Sequence, residues 1–226
     1  MTQNLSTRIT GWAFVAAAMM FWFGWLLLPV RIGSFFQPGD FAAVHDQFHV
    51  WIWMFRIHLF GVVLAVVAMV ALGSTLTETP ARILVWPGVA VATAGLMVGA
   101  AGSAFYFHFG ALGALDMNGK SAEVINEFVM SLKVGTEYVT CLVRFGRVFG
   151  GFGLLLLGVG LLVWKVLPSW AGVIPIIIGV AAMALTMGLP DDLDLYLPVF
   201  HLHALWLAGV GIVTLRSGVR IGEMEA

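Results

Sequence analysis

Six histidines, at positions 45, 49, 58, 108, 201 and 203, are the residues of this chain best suited to chemistry. Imidazole ligates transition metals and haem iron, and it moves protons near neutral pH. Three of the six fall in one stretch. It runs His45-Asp46-Gln47-Phe48-His49, then Trp53, Arg56 and His58, starting polar and continuing into an apolar run. His45 and His49 are spaced i, i+4, so a helix running through both would put two imidazoles on one face. Asp46, Glu123, Glu127, Glu137 and Asp194 offer oxygen ligands beside them. His201 and His203 are two apart and cannot share a helix face, so that pair supplies one ligand. Nitrogen and oxygen donors without thiolate suit zinc, copper or iron.

The other chemistry is a haem b held between two imidazoles from facing helices. His58 and His203 are expected at comparable depth, as are the shallower His49 and His108. Arg56, Arg144 and Arg147 stand near the same boundary, where guanidinium groups can meet propionates. His49 and His58 are nine residues apart, so they point to nearly opposite sides of a helix and serve different neighbours. For each histidine the plain alternative is a hydrogen-bonded structural group. For His45 and His49 it is a solvated, pH-responsive pair. Glu137, Arg144 and Arg147 have a plain alternative too: charged heads snorkelling to the membrane interface.

The elements that hold these residues are membrane helices. Hydrophobic residues make up 61% of the chain and charged residues 10%, with a mean hydropathy of +0.99. A soluble domain carries roughly 25% charged residues, so the solvent for this surface is lipid. The net charge of −1 and the scattered Lys and Arg residues provide no nucleic-acid footprint. One cysteine, Cys141, excludes intrachain disulfides and thiolate clusters; it reads as a small apolar filler.

Apolar runs predict six spans, at about 11–30, 50–72, 83–109, 145–164, 171–187 and 197–215. Each is near the ~20 residues that cross a hydrocarbon core as a helix. The first is too long and bulky for a signal core and is expected to be retained. Residues 110–119 are expected to be a loop. Ser121 can cap a helix beginning at Glu123, whose Val124, Phe128 and Leu132 form an apolar face; an interfacial helix before span four is predicted. The fold class is all-α: a polytopic bundle of six transmembrane helices plus this amphipathic helix, in one domain over 1–226.

With alternating helices, all six histidines fall in the half of the bilayer opposite the termini. Charged or polar groups at such depth usually face the bundle interior. With Arg56 set aside inside span two, the other ten Lys and Arg residues split five and five between the two sides. Four of the outer five (Lys120, Lys133, Arg144 and Arg147) belong to the long third connection or its membrane boundary. Discounting those predicts cytoplasmic termini in a bacterial inner membrane. Trp12, Trp86, Trp164 and Trp170 would form one aromatic belt, and Trp51, Tyr106, Tyr138 and Tyr196 the other. The Gly95, Gly99, Ser103 and Gly146, Gly150 spacings predict close helix packing.

From Phe145 to Met183 a glycine-rich helix is followed by the turn Leu167-Pro168-Ser169-Trp170-Ala171-Gly172 and another glycine-containing helix. This layout resembles an arrangement that recurs in bacterial six-span membrane proteins, and it implies no activity. No phosphate-binding glycine loop, Gly-x-Ser-x-Gly elbow or His-Glu-x-x-His helix occurs, and the last span has no lysine for a retinal Schiff base.

Two functional expectations follow. One is a redox or metal protein with haem b or a transition metal in the outer half of the bilayer, passing electrons between a quinone and a periplasmic or membrane protein partner. The other is a non-catalytic membrane subunit or small-solute permease with a histidine-lined outward cavity.

Overall fold

The computed structural model describes residues 2–188 and 193–217. The described elements are seven α-helices: α1 (Thr2–Leu26), α2 (Pro38–Asp46), α3 (Phe48–Thr75), α4 (Arg82–Asp116), α5 (Ala122–Val163), α6 (Ser169–Gly188) and α7 (Leu193–Ser217). No strand occurs among the described residues. All but α2 are long and apolar enough to cross a membrane, so the six-span, all-α architecture stands.

Helices consecutive in the chain are neighbours in space. Leaving the short α2 aside, α1 packs on α3, α3 on α4, α4 on α5, α5 on α6 and α6 on α7, and α7 closes back on α1. Short connections favour antiparallel neighbours. A closed ring of six helices has no helix on its axis, which leaves room for an internal chamber.

Two crossings show how close the backbones come. A Cβ added to Gly24 of α1 would sit 2.8 Å from the His58 Cα of α3, and Gly61 of α3 abuts the backbone of Phe21. Between α4 and α5, a Cβ on Gly146 would sit 2.8 Å from the Gly95 carbonyl oxygen, as the small-residue spacing predicts.

The third connection differs from expectation. Helix α4 continues to Asp116 through residues expected to be a loop. Its Gly110 and Gly113 do not break the helix. They make room for neighbours: a Cβ at Gly110 would meet the Trp51 ring at 2.9 Å, and Gly113 lies against the Phe41 ring. The predicted interfacial helix is likewise not a separate element. Ser121 caps it, its Oγ accepting from the Val124 N–H at 3.5 Å, but it runs on without a breaker as the first part of the 42-residue α5. At 1.5 Å per residue α5 is roughly 63 Å long, about twice the ~30 Å hydrocarbon thickness.

The amphipathic segment of α5 covers protein as well as facing outward. Phe128 and Leu132 pack with Phe36 and Phe41 in a small core outside the ring, while Val124 is exposed. Helix α2, which precedes the second span, supplies Phe41. Its start was encoded by Gln37-Pro38-Gly39-Asp40: proline suits the first helical position, and Asp40 Oδ2 accepts from the Gln37 N–H at 2.7 Å. Half-burial pushes the Asp40 carboxyl above its ordinary 3.8, partly offset by that bond. Cys141 is exposed on α5 and fills no core space.

Candidate ligand chamber

His58 and His203 are the two histidines buried in the ring, 7% and 9% exposed. Both line a chamber of about 180 Å³ to which all six spans contribute. The close α1–α3 crossing positions His58. It brings Nδ1 to 2.9 Å from the Phe21 carbonyl oxygen, and because a carbonyl only accepts, Nδ1 carries the proton. The neutral ring therefore has its lone pair on Nε2. His203 Nε2 is buried and has no hydrogen-bond partner among the described residues. A buried polar atom without a partner costs about 1–3 kcal/mol, so this one marks a place where a ligand or water would be favoured.

Aromatic rings fix the two imidazoles. Phe21 stacks on His58, with centroids 5.1 Å apart, and presents an edge contact to His203 at 5.7 Å. Trp25 and Phe200 flank His58 at 5.5 and 6.1 Å, and Trp206 lies 6.1 Å from His203. On the opposite wall stand Gly99 and Gly150. A Cβ added at either meets nothing within 4 Å, so part of the chamber is side chain that these glycines lack.

Arg147 and Tyr196 complete the polar part. The Arg147 Cζ lies 4.2 Å from the centre of the Tyr196 ring, and both residues line the chamber. Arg147 also lines a second, adjoining cavity of about 130 Å³.

The other expected site residues go elsewhere. Gln47 breaks the chain direction between α2 and α3, with φ −123° and ψ 28°, so His45 and His49 lie on different helices and lose the i, i+4 alignment. His45 pairs with Asn118 Nδ2 at 3.0 Å and is 4.0 Å from Asp46. His49 and His108 are exposed. His201 Nδ1 accepts from Trp22 Nε1 at 2.8 Å, which ties α7 to α1. Arg56 is exposed and rests against Trp53 and Phe107, with its Cζ 5.4 and 5.7 Å from their ring centres. Arg144 is exposed on α5. Asp191, Asp192 and the Asp194 side chain lie outside the described residues.

Among the described residues no three His, Cys, Asp or Glu side chains gather as a metal site, and two imidazoles fall short of the three or four protein ligands of a zinc centre. A haem needs the space between its axial imidazoles. Here the Phe21 ring contacts both, and 180 Å³ is small beside the ~300–1,000 Å³ of pockets for drug-sized ligands.

Sequence reasoning missed the aromatic frame. Phe21 and Phe200 look like ordinary membrane residues, and Tyr196 like a belt residue. Gly99 and Gly150 read only as packing positions. Nothing in their spacing distinguishes a glycine facing a helix from one facing a space.

Fold and chamber define a class: a polytopic α-helical membrane protein with an internal chamber walled by all its spans. No protein-family model matches the chain, and neither a curated protein nor a solved structure matches it.

Proposed function

We propose that this protein binds a small molecule inside the membrane, as a small-solute permease or a ligand-binding membrane subunit. The observation that carries the proposal is the convergence of His58, from α3, and His203, from α7, on one chamber, with His203 Nε2 buried and unpartnered among the described residues. A few convergent polar groups in an otherwise apolar concavity are the usual form of a small-molecule site. An engineered apolar cavity of ~150 Å³ accepts benzene, so 180 Å³ is room for a compact ligand or the slim part of a longer one.

The test is the organic extract of the purified protein, compared by mass spectrometry with that of Gly150→Leu, which fills the chamber. A compound present in stoichiometric amount in the first and absent from the second supports the proposal. Identical extracts count against it.

The redox expectation, with quinone and a periplasmic or membrane partner, rests on one feature. His58 donates Nδ1–H to a backbone carbonyl, as ligating histidines commonly do. It would require Phe21 to leave its place. A visible spectrum with a reducible Soret band, or stoichiometric metal by elemental analysis, would replace the small-molecule proposal with this one. A bacterial inner membrane and cytoplasmic termini belong to the proposal as well, on the strength of the Lys and Arg distribution alone.

A further inference from the structure

Two cavities are stacked along the axis of the ring. Helix by helix, the second lies farther from the chain termini than the chamber does. On α4 the order toward that far end is Gly99, then Ser103, then Tyr106, and only Tyr106 belongs to the second cavity alone. Helix α5 runs the other way, and there Thr140 of the second cavity precedes Val143 and Gly150. On α3, Phe55 of the second cavity likewise precedes His58 of the chamber. The space of about 130 Å³ is therefore an antechamber to the one of about 180 Å³, and Trp25, Ser103, Val143 and Arg147 line both. The opposite end of the chamber is packed shut. Its floor is Met69, Ile178 and Ala182, all buried, and the neighbouring Leu72 and Leu157 are fully buried.

What covers the antechamber is not a helix. The chain between α1 and α2, residues 27–37, is irregular, and Leu28, Ile32, Gly33 and Ser34 from it line that space. Irregular backbone lacks helical partners, so side chains must supply them. Three helices do so. Trp51 Nε1 of α3 donates to the Val30 carbonyl at 3.0 Å, and Tyr106 Oη of α4 donates to the Ser34 carbonyl at 2.8 Å. Thr140 Oγ1 of α5 lies 3.4 Å from that same carbonyl and 3.1 Å from the Tyr106 hydroxyl. The segment is pinned toward its ends by burial of Leu28 and Phe36. Between them Gly33 is exposed, and a Cβ added there meets nothing within 4 Å. The middle of the segment is thus held chiefly by the hydroxyl pair on Ser34.

We infer that residues 27–37 form a strap that gates the chamber, with Tyr106 and Thr140 as its latch on the Ser34 carbonyl. The ligand passes beneath the strap and through the antechamber, from the membrane face opposite the termini. The inference rests on the small-molecule proposal for what passes, and it adds the route and the part that moves. Opening at Gly33 and Ser34 breaks the latch bonds to one carbonyl, which water can replace, and unwinds no helix. Entry from the other end would have to part the buried side chains of the floor. Gates of this kind are built from a few loop positions that take up the backbone change.

The experiment measures how fast a thiol inside the chamber is reached. Gly150→Cys places one there, in full-length protein in nanodiscs that carries Cys141→Ser, because the native thiol is exposed. The probe is methyl methanethiosulfonate, a compact neutral reagent, and intact mass gives the rate. Tyr106→Phe deletes only the latch hydroxyl. It is expected to speed labelling about fivefold, the shift in strap opening that loss of one hydrogen bond implies. Thr140→Val makes the same test if Tyr106→Phe does not fold. Ala68→Cys, fully buried among packed side chains, is the control and should label no faster with the latch loosened. An unchanged rate at Gly150→Cys means that the chamber is reached another way and overturns the inference. An equal rise at Ala68→Cys means general loosening and overturns it too. Both failures leave the small-molecule proposal standing, because the rate of entry is read and not the bound compound.

Discussion

The Nδ1–H of His58 donates to the Phe21 carbonyl across 2.9 Å, joining α3 to α1 where Gly24 and Gly61 let the two backbones touch. The bond turns a histidine in an apolar helix into a ring of defined tautomer, with its other nitrogen available as an acceptor. His58→Ala removes both the bond and the ring from a buried position. A loss of about 2–5 kcal/mol is expected, read as a lower thermal midpoint of the purified protein. His58→Gln, which keeps a donor, should lose less. Equal losses would mean that the bond to Phe21 contributes nothing.

His203 should behave in the opposite way. Its Nε2 is buried without a partner among the described residues, so His203→Leu removes an uncompensated polar group at similar volume. The ligand-free protein is expected to gain up to about 1–3 kcal/mol, while ligand binding weakens. A drop in thermal midpoint with binding unchanged would contradict the assignment of His203 to the chamber.

The glycines divide into two groups that sequence alone does not separate. Gly24→Ala would drive a methyl into the His58 backbone and is expected to cost about 1–3 kcal/mol. Gly99→Ala meets nothing within 4 Å and should be neutral or stabilise by about 0.4–1 kcal/mol, through the entropy of the unfolded chain. Thermal unfolding of the two variants side by side checks the contrast.

Asp40 makes α2 more stable in acid than at neutral pH. Burial raises its carboxyl above the ordinary 3.8, so the folded helix holds this proton more tightly than the unfolded chain does. Its contribution is therefore fully present below about pH 3.8 and is lost as the pH rises through the raised value. Hydrogen exchange across Pro38–Asp46 should show protection declining over that window. Asp40→Asn, which keeps an acceptor for the Gln37 N–H, should flatten the dependence.

Much of the architecture was legible in the chain itself. Apolar runs near twenty residues in length, with so few charges, have one stable solution in lipid, because each helix satisfies its own backbone. That determined six spans, the cap at Ser121, and the placing of His58 and His203 at comparable depth. Only the tertiary structure decided which of the six histidines meet. A depth is a one-dimensional quantity, whereas facing the ring axis depends on the rotation of each helix, and that is set by contacts such as Gly24 on His58 and Gly61 on Phe21. His49, His108, Arg56 and Arg144 come to exposed positions, whereas His58, His203 and Arg147 line the chamber wall. The chamber is a gap left where six helices meet and two glycines lack side chains. No local signal in the sequence marks an empty space.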